Sequence, residues 1–271
     1  MKVSPNRLSN HAAGLLGTAN RATALAALRR AAAAAPESAA IHANLAIALT
    51  NFGHYVEASK ILHGLVTKNP YDIAAWHAYG VLGLVSAQPE DAVDCFKTCM
   101  LLDSSSGMYK FDHALALMQA GRWAEGLEAY ECRREYKSER TFSNTPRWDG
   151  SANKSVYVWA EQGIGDTFQF ARYLPLLAKI SRRVVFALPL PLHQLFAPYQ
   201  EHVEILRLGS DVADIDCEVS LMSLARHLGP TPAEWPEDPG LLGKNVTAEV
   251  PDDNFRVGLC WACSSTSANY R

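Results

Sequence analysis

Hydrophobic residues recur at helical spacing over the first 140 residues, and short continuous hydrophobic runs replace this pattern further on. In the first part, Pro36 and Pro70 are 34 positions apart, and Gly53 and Gly121 are twice that distance apart. A period of 34 residues predicts a stack of helix–turn–helix units, with small residues where helices cross. The period divides this part into four units, at about 5–38, 39–72, 73–106 and 107–139.

The second part begins with a β-branched and aromatic run, Ser155–Trp159, which predicts a short buried strand. Gly163 and Gly165 follow, and glycine allows a tight turn with positive φ or a close backbone approach. Asp166 and Thr167 are N-cap types, and the hydrophobic spacing after them predicts a helix that begins there. Asp166 is therefore expected where a strand ends and a helix begins, which is the edge of an open α/β sheet that binds ligands.

The glycine turn alone matches no established nucleotide-binding loop. It has neither the third glycine of the dinucleotide fingerprint nor the Gly-Lys-Ser/Thr ending of a P-loop. An aspartate at a helix N-terminus also repels phosphate, whereas it is suited to accept a proton from a hydroxyl. The alternative is a tight strand-to-helix connection in which Asp166 only caps the helix.

Further strands and helices alternate after this stretch, which predicts a parallel, Rossmann-like sheet over 141–254. Residues 139–144 are polar and unpatterned and are expected to form the boundary with the repeats over 1–140. A second sheet is expected to start within 255–271. The remaining predicted strands are Arg183–Leu188, 203–206, 214–217 and 255–261, and the remaining helices lie around 192–198 and 221–228.

Composition and charge indicate which classes of partner the chain can bind and in which cellular compartment it is expected. The net charge of −3 and the isoelectric point near 6.3 give no electrostatic basis for binding nucleic acid or an anionic membrane. No apolar run approaches the roughly 20 residues that span a bilayer. Six cysteines without a secretory signal predict free thiols in a reducing, cytoplasmic compartment. The alanine-rich first 36 residues overlap in composition with a transit peptide, although their repeat register favours a helix pair.

Two cysteine pairs have spacings found in metal or redox sites. Cys95 and Cys99 lie four apart on a predicted helix, and core thiols are favoured over a metal site because no further ligands stand nearby in sequence. Cys260 and Cys263 form a C-x-x-C, but Cys260 falls inside a predicted strand rather than at a helix N-terminus. We therefore predict no metal site.

The repeats resemble tetratricopeptide repeats, and more particularly those of the protein O-GlcNAc transferases. In that family an asparagine ladder on the concave face holds the backbone of an extended peptide. Asn10, Asn44 and Asp112 occupy one position at 34-residue spacing, and Ala78 interrupts the series. The resemblance implies a peptide-binding groove that contains these three residues, because amides both donate to and accept from peptide groups. Solvated helix residues are the alternative.

Four motifs follow a second family pattern in order: Trp148-Asp-Gly, Glu161-Gln-Gly-Ile-Gly-Asp-Thr-Phe-Gln-Phe-Ala-Arg-Tyr, Ser220-Leu-Met-Ser-Leu and Val257-Gly-Leu-Cys-Trp. Together they resemble the bacterial tetratricopeptide-repeat glycosyltransferases, which are related to the heptosyltransferases. That family implies a GT-B fold of two Rossmann halves, with the acceptor on the first half and a nucleotide sugar on the second. It implies no metal ion, and no cofactor apart from the nucleotide-sugar substrate.

The same resemblance assigns roles to individual residues. Asp166 becomes the candidate general base, and substrate-binding roles fall on Glu161, Gln162, Gly163, Gly165, Gln169 and Arg172. A solvated helix face explains Gln169 and Arg172 equally well. Because 255–271 holds only the first strand of the second half, we expect the chain to lack most of the donor domain and to be inactive alone. A non-catalytic scaffold that binds peptides or proteins through its repeats is the alternative, and exposed apolar edges make self-association plausible.

Overall fold

The computed structural model of the protein describes residues 21–136 and 145–237. The first of these ranges is helical throughout and contains eight helices, which stack as successive pairs. They are α1 (Arg21–Ala34), α2 (Ala39–Asn51), α3 (Tyr55–Lys68), α4 (Ile73–Val85), α5 (Pro89–Leu102), α6 (Gly107–Gln119), α7 (Trp123–Tyr130) and α8 (Arg133–Tyr136).

The 34-residue period is visible directly in the helix boundaries. Helices α2, α4 and α6 begin at positions 39, 73 and 107, where the sequence places the start of each unit. The turn after each of these helices contains one residue with positive φ, at Gly53 (82°), Ala87 (58°) and Gly121 (80°). Left-handed residues of this kind commonly end helices, and glycine adopts the conformation without steric cost. Ala87 adopts it with a β-carbon present.

Small residues stand at the helix crossings, as the sequence predicts. A β-carbon added at Gly80 would lie 2.6 Å from the ring of Phe96, and one added at Gly126 would lie 2.5 Å from the side chain of Met118. Gly80 belongs to α4 and Phe96 to α5, so the absent β-carbon makes room for the aromatic ring between paired helices. This close approach gives the helical stack a buried core through its length.

The second range folds around a parallel sheet of four strands in the order β3-β2-β1-β4. Strands β1 and β2 lie at its centre and are buried over nearly their whole length, as their continuous apolar sequences predict. The predicted bounds of both are confirmed, whereas β3 begins one residue later than expected and β4 begins three residues later than expected. The strands are β1 (Ser155–Trp159), β2 (Arg183–Leu188), β3 (Glu204–Arg207) and β4 (Cys217–Ser220).

Short helices connect the strands: α9 (Ile164–Phe170) and α10 (Leu174–Ile180) after β1, α11 (His193–Phe196) after β2, and α12 (Leu224–Leu228) after β4. The apolar cluster on this side of the sheet includes Val156 and Val158 of β1 together with Leu127 of α7. The last pair of repeat helices therefore shares a core with the sheet. Within the described ranges the protein is a helical solenoid joined to a small parallel sheet.

Several predictions fall outside the described residues: Asn10, the boundary at 139–144, the strand at 255–261 and the Cys260–Cys263 pair. Cys95 and Cys99 lie within them and are buried free thiols. No helix in the described ranges has the length and apolar character that crossing a membrane requires.

Candidate functional site

The glycine turn joins β1 to α9 at the carboxyl edge of the sheet. Glu161 is buried two residues after the strand, Gln162 has φ of 59°, and Gly163 is in an extended conformation as the N-cap of the helix. Asp166 is the third residue of α9, and its Oδ2 accepts a hydrogen bond of 3.0 Å from the backbone N–H of Gly163. This carboxylate is partly exposed at the edge where ligands bind in open sheets.

Two details of the turn differ from the sequence prediction. The helix begins at Ile164, so Asp166 and Thr167 are not N-caps. Asp166 instead accepts from the backbone N–H of the N-cap Gly163, as the acidic residue of a capping box does. The left-handed residue is Gln162 rather than Gly163 or Gly165. A non-glycine residue in this conformation costs about 1–2 kcal/mol. The Gln162 amide is held in place by a 3.0 Å hydrogen bond to the hydroxyl of Tyr130.

A buried ion pair connects the last repeat to this turn. Arg133 of α8 donates from Nη2 to Glu161 Oε1 at 2.6 Å and from Nε to Glu161 Oε2 at 3.2 Å. The two side chains are only 1% and 4% exposed. Burial disfavours the charged form of Arg133, but the hydrogen bond and charge of Glu161 outweigh this effect and raise the pKa of the guanidinium above its usual value. Arg133 is therefore a permanent cation inside the junction.

The same ion pair is part of a wider polar network. Arg133 Nη2 also lies 3.0 Å from Ser220 Oγ and 2.9 Å from Ser223 Oγ, at the end of β4 and just beyond it. Arg134 donates to both of these hydroxyls, and Ser223 donates to Glu131. Two arginines are thus matched by two carboxylates and two hydroxyls.

The position of this network within the sheet bears on ligand binding. Strand β1 has β2 on one side and β4 on the other, so the chain reverses direction across the sheet between β1 and β4. Ligands in open α/β sheets bind in the crevice at such a point. Here Glu161 follows β1, Ser220 ends β4, and Arg133 from the repeats lies between them. The crevice is filled by the protein's own side chains, and Asp166 lies beside it.

A chain of contacts runs from the repeats to the glycine turn. His77 Nε2 and Asp112 Oδ2 lie 2.8 Å apart, which joins α4 to α6. The neighbouring ring of Phe111 is 5.3 Å from the ring of Tyr130, whose hydroxyl contacts Gln162. Burial raises the pKa of the Tyr130 hydroxyl, and the negative charges of nearby Glu161 and Asp166 act in the same direction. The Phe111–Tyr130 pair therefore links α6 to Gln162, the residue before the glycine turn.

The remaining predicted residues separate into two groups. Asn44 lies half-buried on α2, and Ala78 lies buried at the same register on α4. Gln169 and Arg172 lie further along the chain than Asp166 and line a cavity of about 270 Å³ between α7 and the sheet domain. Of the predicted substrate-binding residues, Glu161 and Gln162 contact the last repeat, whereas Gln169 and Arg172 line this cavity.

The sequence prediction missed the arginines. A charged residue is rarely buried completely without a partner, and the partner of Arg133 is 28 residues away in sequence. The available signal was a pair of arginines three and four residues after the buried Tyr130, together with a glutamate two residues after a buried strand. The Ser220-Leu-Met-Ser223 motif is explained by the same network, since both hydroxyls accept from Arg133.

A family profile described as Tetratricopeptide repeat matches residues 15–81. A curated relative, Protein FlbA from Caulobacter vibrioides, is 29% identical over 180 residues, which cover 62% of this chain and 30% of that protein. The chain thus spans about a third of the length of this curated relative. With the helix boundaries above, the profile identifies the helical part as tetratricopeptide repeats.

Two solved structures are similar over part of the chain. MamA from Desulfovibrio magneticus RS-1 is 18% identical with a TM-score of 0.45, covering 52% of this chain and 79% of that one. A mutant O-GlcNAc transferase from Thermobaculum terrenum is 15% identical with a TM-score of 0.46, covering 78% of this chain and 42% of that one.

Proposed function

We propose that this chain is the acceptor-binding part of a cytoplasmic tetratricopeptide-repeat glycosyltransferase of the GT-B type. The repeats hold a protein acceptor, and the carboxylate of Asp166 removes the proton from the acceptor hydroxyl. A nucleotide sugar is the donor, and none of the described residues is assigned to it. The sheet domain then corresponds to the first of two Rossmann halves.

One observation carries the proposal: the last repeat is joined directly to the turn that presents Asp166. Tyr130 contacts Gln162, and Arg133 contacts Glu161, immediately before the two glycines. Phe111 of α6 packs against Tyr130, so we infer that a peptide held along the first helices of the repeats ends its path near this partly exposed carboxylate. Sequence motifs that resemble the glycosyltransferases surround this same turn, and tetratricopeptide repeats are suited to binding protein partners.

The reaction needs little from the chain apart from position and one base. Asp166 Oδ2 is engaged by the Gly163 N–H, which leaves Oδ1 to accept the proton of a serine or threonine hydroxyl. The hydroxyl oxygen then bonds to the anomeric carbon, and the nucleoside diphosphate leaves with the electron pair of the broken bond. A direct displacement of this kind inverts the configuration of the sugar.

The test uses the native protein, purified with its partners from its own cells, and the variant Asp166→Asn. The asparagine oxygen can still accept from Gly163, so the fold should be retained while the base is lost. We expect the intact mass of a co-purifying partner to increase by one sugar with the wild type and a nucleotide sugar, and to stay unchanged with the variant. Asp149→Asn is the matched control, because Asp149 also accepts a 3.0 Å backbone hydrogen bond, from Ser151, at a distant site. Retained transfer by Asp166→Asn would refute the role of Asp166.

A second candidate is a scaffold that binds a peptide or protein partner without catalysis. It is favoured by the filled crevice between β1 and β4 and by the capping role of Asp166, since both are consistent with a purely structural turn. This candidate predicts that Asn44→Ala and Asp112→Ala reduce partner capture, and that Asp166→Asn changes nothing measurable. Partner capture that requires only residues 150–271 would contradict it.

A further inference from the structure

The cavity at the junction of α7 and the sheet domain has aromatic walls. Its volume is about 270 Å³, and the rings of Trp123, Phe170, Tyr173 and Trp235 line it. Trp123 comes from the last repeat and Trp235 from the loop after α12, and their ring centroids are 5.0 Å apart in an edge-to-face arrangement. We call this cavity the aromatic pocket. Its walls therefore come from both parts of the protein.

Two polar side chains complete the aromatic pocket. Gln169 is exposed at its border, and the half-buried Arg172 lies deeper. Arg172 Nη1 donates a long hydrogen bond of 3.4 Å to the carbonyl of Pro236, whereas the buried Nε has no hydrogen-bond partner within the described residues. Arg172 lines the cavity and is only half-buried, so its guanidinium can donate to a carbonyl or carboxylate oxygen of a ligand.

The aromatic pocket is close to Asp166. Asp166 and Gln169 are three residues apart on α9 and so share one face of the helix. With a rise of about 1.5 Å per residue in α9 and about 2.0 Å in the 3₁₀ turn Ala171–Tyr173 that follows it, the distance along the axis is about 5 Å to Gln169 and about 10 Å to Arg172. An extended peptide advances about 3.3 Å per residue, so two to three residues span this distance.

We propose that the aromatic pocket binds an aromatic side chain of the acceptor peptide, two to three residues from the hydroxyl that faces Asp166. The Arg172 guanidinium donates to a backbone carbonyl of the same peptide segment. The spacing rests on the proposed function; the binding of an aromatic side chain does not.

The size and chemistry of the pocket select this occupant. Its volume lies just below the range of about 300–1,000 Å³ that small-molecule sites occupy, and it is suited to one ring rather than to a nucleotide sugar. Aromatic rings pair favourably in edge-to-face and offset geometries, which four surrounding rings can supply. A peptide also offers carbonyl oxygens on both sides of each side chain, which the guanidinium of Arg172 can contact.

The experiment compares two fluorescein-labelled nonapeptides of glycine and alanine with one central serine. One carries a phenylalanine two residues after the serine, and the other carries alanine there. We expect the full chain to bind the phenylalanine peptide about tenfold more tightly in fluorescence anisotropy, since the ring becomes buried. Trp235→Ala should abolish this preference. Arg172→Met should weaken binding of both peptides about equally, and Arg183→Met, which removes an exposed arginine of the sheet domain, should weaken neither.

Equal affinity of the wild type for the two peptides, or a preference that survives Trp235→Ala, would overturn the proposal. Should Trp235→Ala fail to fold, Ala225→Leu provides a second variant, because Ala225 lines the pocket and leucine would fill it without removing a wall. A phenylalanine preference without any sugar transfer would support the pocket and count against the transferase. Sugar transfer that is indifferent to phenylalanine would refute only the pocket.

Discussion

Replacing Arg133 by methionine should destabilise the protein far more than replacing a surface arginine that also forms two hydrogen bonds to one carboxylate. Arg133 and Glu161 form two hydrogen bonds, of 2.6 and 3.2 Å, and both side chains are almost completely buried. Arg122 and Glu125 also form two hydrogen bonds, of 2.6 and 3.0 Å, but their side chains are 39% and 60% exposed. The two pairs match in geometry and differ in burial.

The expected magnitudes follow from that difference. Arg133→Met retains apolar volume but leaves the Glu161 carboxylate without its cation in a site that water does not reach. Removing one partner of a buried pair typically costs about 3–5 kcal/mol. Exposed pairs are worth about 0.2–1 kcal/mol, so Arg122→Met should cost no more than about 1 kcal/mol. Most of the difference is the cost of the unpaired carboxylate rather than the value of the bond.

Urea unfolding, followed by circular dichroism and by tryptophan fluorescence, measures these free energies. With a denaturant slope near 3 kcal/mol/M, Arg133→Met should lower the midpoint by about 1–2 M and Arg122→Met by less than about 0.3 M. The double variant Arg133→Met/Glu161→Leu should recover about 0.5–3 kcal/mol relative to the sum of the single changes, because it removes both charges. Equal costs for Arg133→Met and Arg122→Met, or additive effects in the double variant, would refute the reasoning.

Two further predictions concern the turns and the thiols. Ala87→Gly should raise the free energy of unfolding by about 1 kcal/mol, because Ala87 has a positive φ that glycine adopts freely. Gly121→Ala, at the equivalent turn, should lower the free energy of unfolding by a similar amount. The same urea assay detects both changes, and a shift of the same sign for both would contradict the argument. Burial raises the thiol pKa of Cys95 to about 12 and those of Cys99 and Cys217 to about 11, from an ordinary 9.0. At pH 8 these thiols should therefore resist a disulfide reagent until urea unfolds the chain, and rapid labelling of the native protein at pH 8 would contradict this expectation. The stability that their protonated forms contribute below pH 9 should be lost as the pH rises towards 11–12.

The repeats and the central strands could be predicted because local sequence determines them. The period of 34 residues places the starts of α2, α4 and α6, and it does so through packing residues that recur at helix crossings. After their first residue, strands β1 and β2 are continuous apolar runs, which are typical of a strand buried on both faces. For β4 the prediction is displaced by three residues, since the polar Glu218 and Ser220 interrupt the apolar signal inside a buried strand.

The details of the candidate site were harder to predict, because long-range contacts determine them. Glycine and aspartate are both acceptable N-caps, so the sequence alone did not distinguish a cap at Asp166 from one at Gly163. The positive φ falls on Gln162, whose side chain contacts Tyr130, 32 residues earlier in the chain. Arg133 is informative only once Glu161 and Ser220 are known to lie beside it.

The buried contact between Arg133 and Glu161 also constrains how this protein can evolve. Repeat arrays usually lengthen or shorten by duplication or loss of whole units, since each unit contacts only its neighbours. The unit that carries Tyr130 and Arg133 is not interchangeable in this way, because its loss would leave Glu161 buried without a counterion. Changes in repeat number are therefore expected towards the N-terminal side of this unit, and homologues of different array length should keep the same last helices before the sheet.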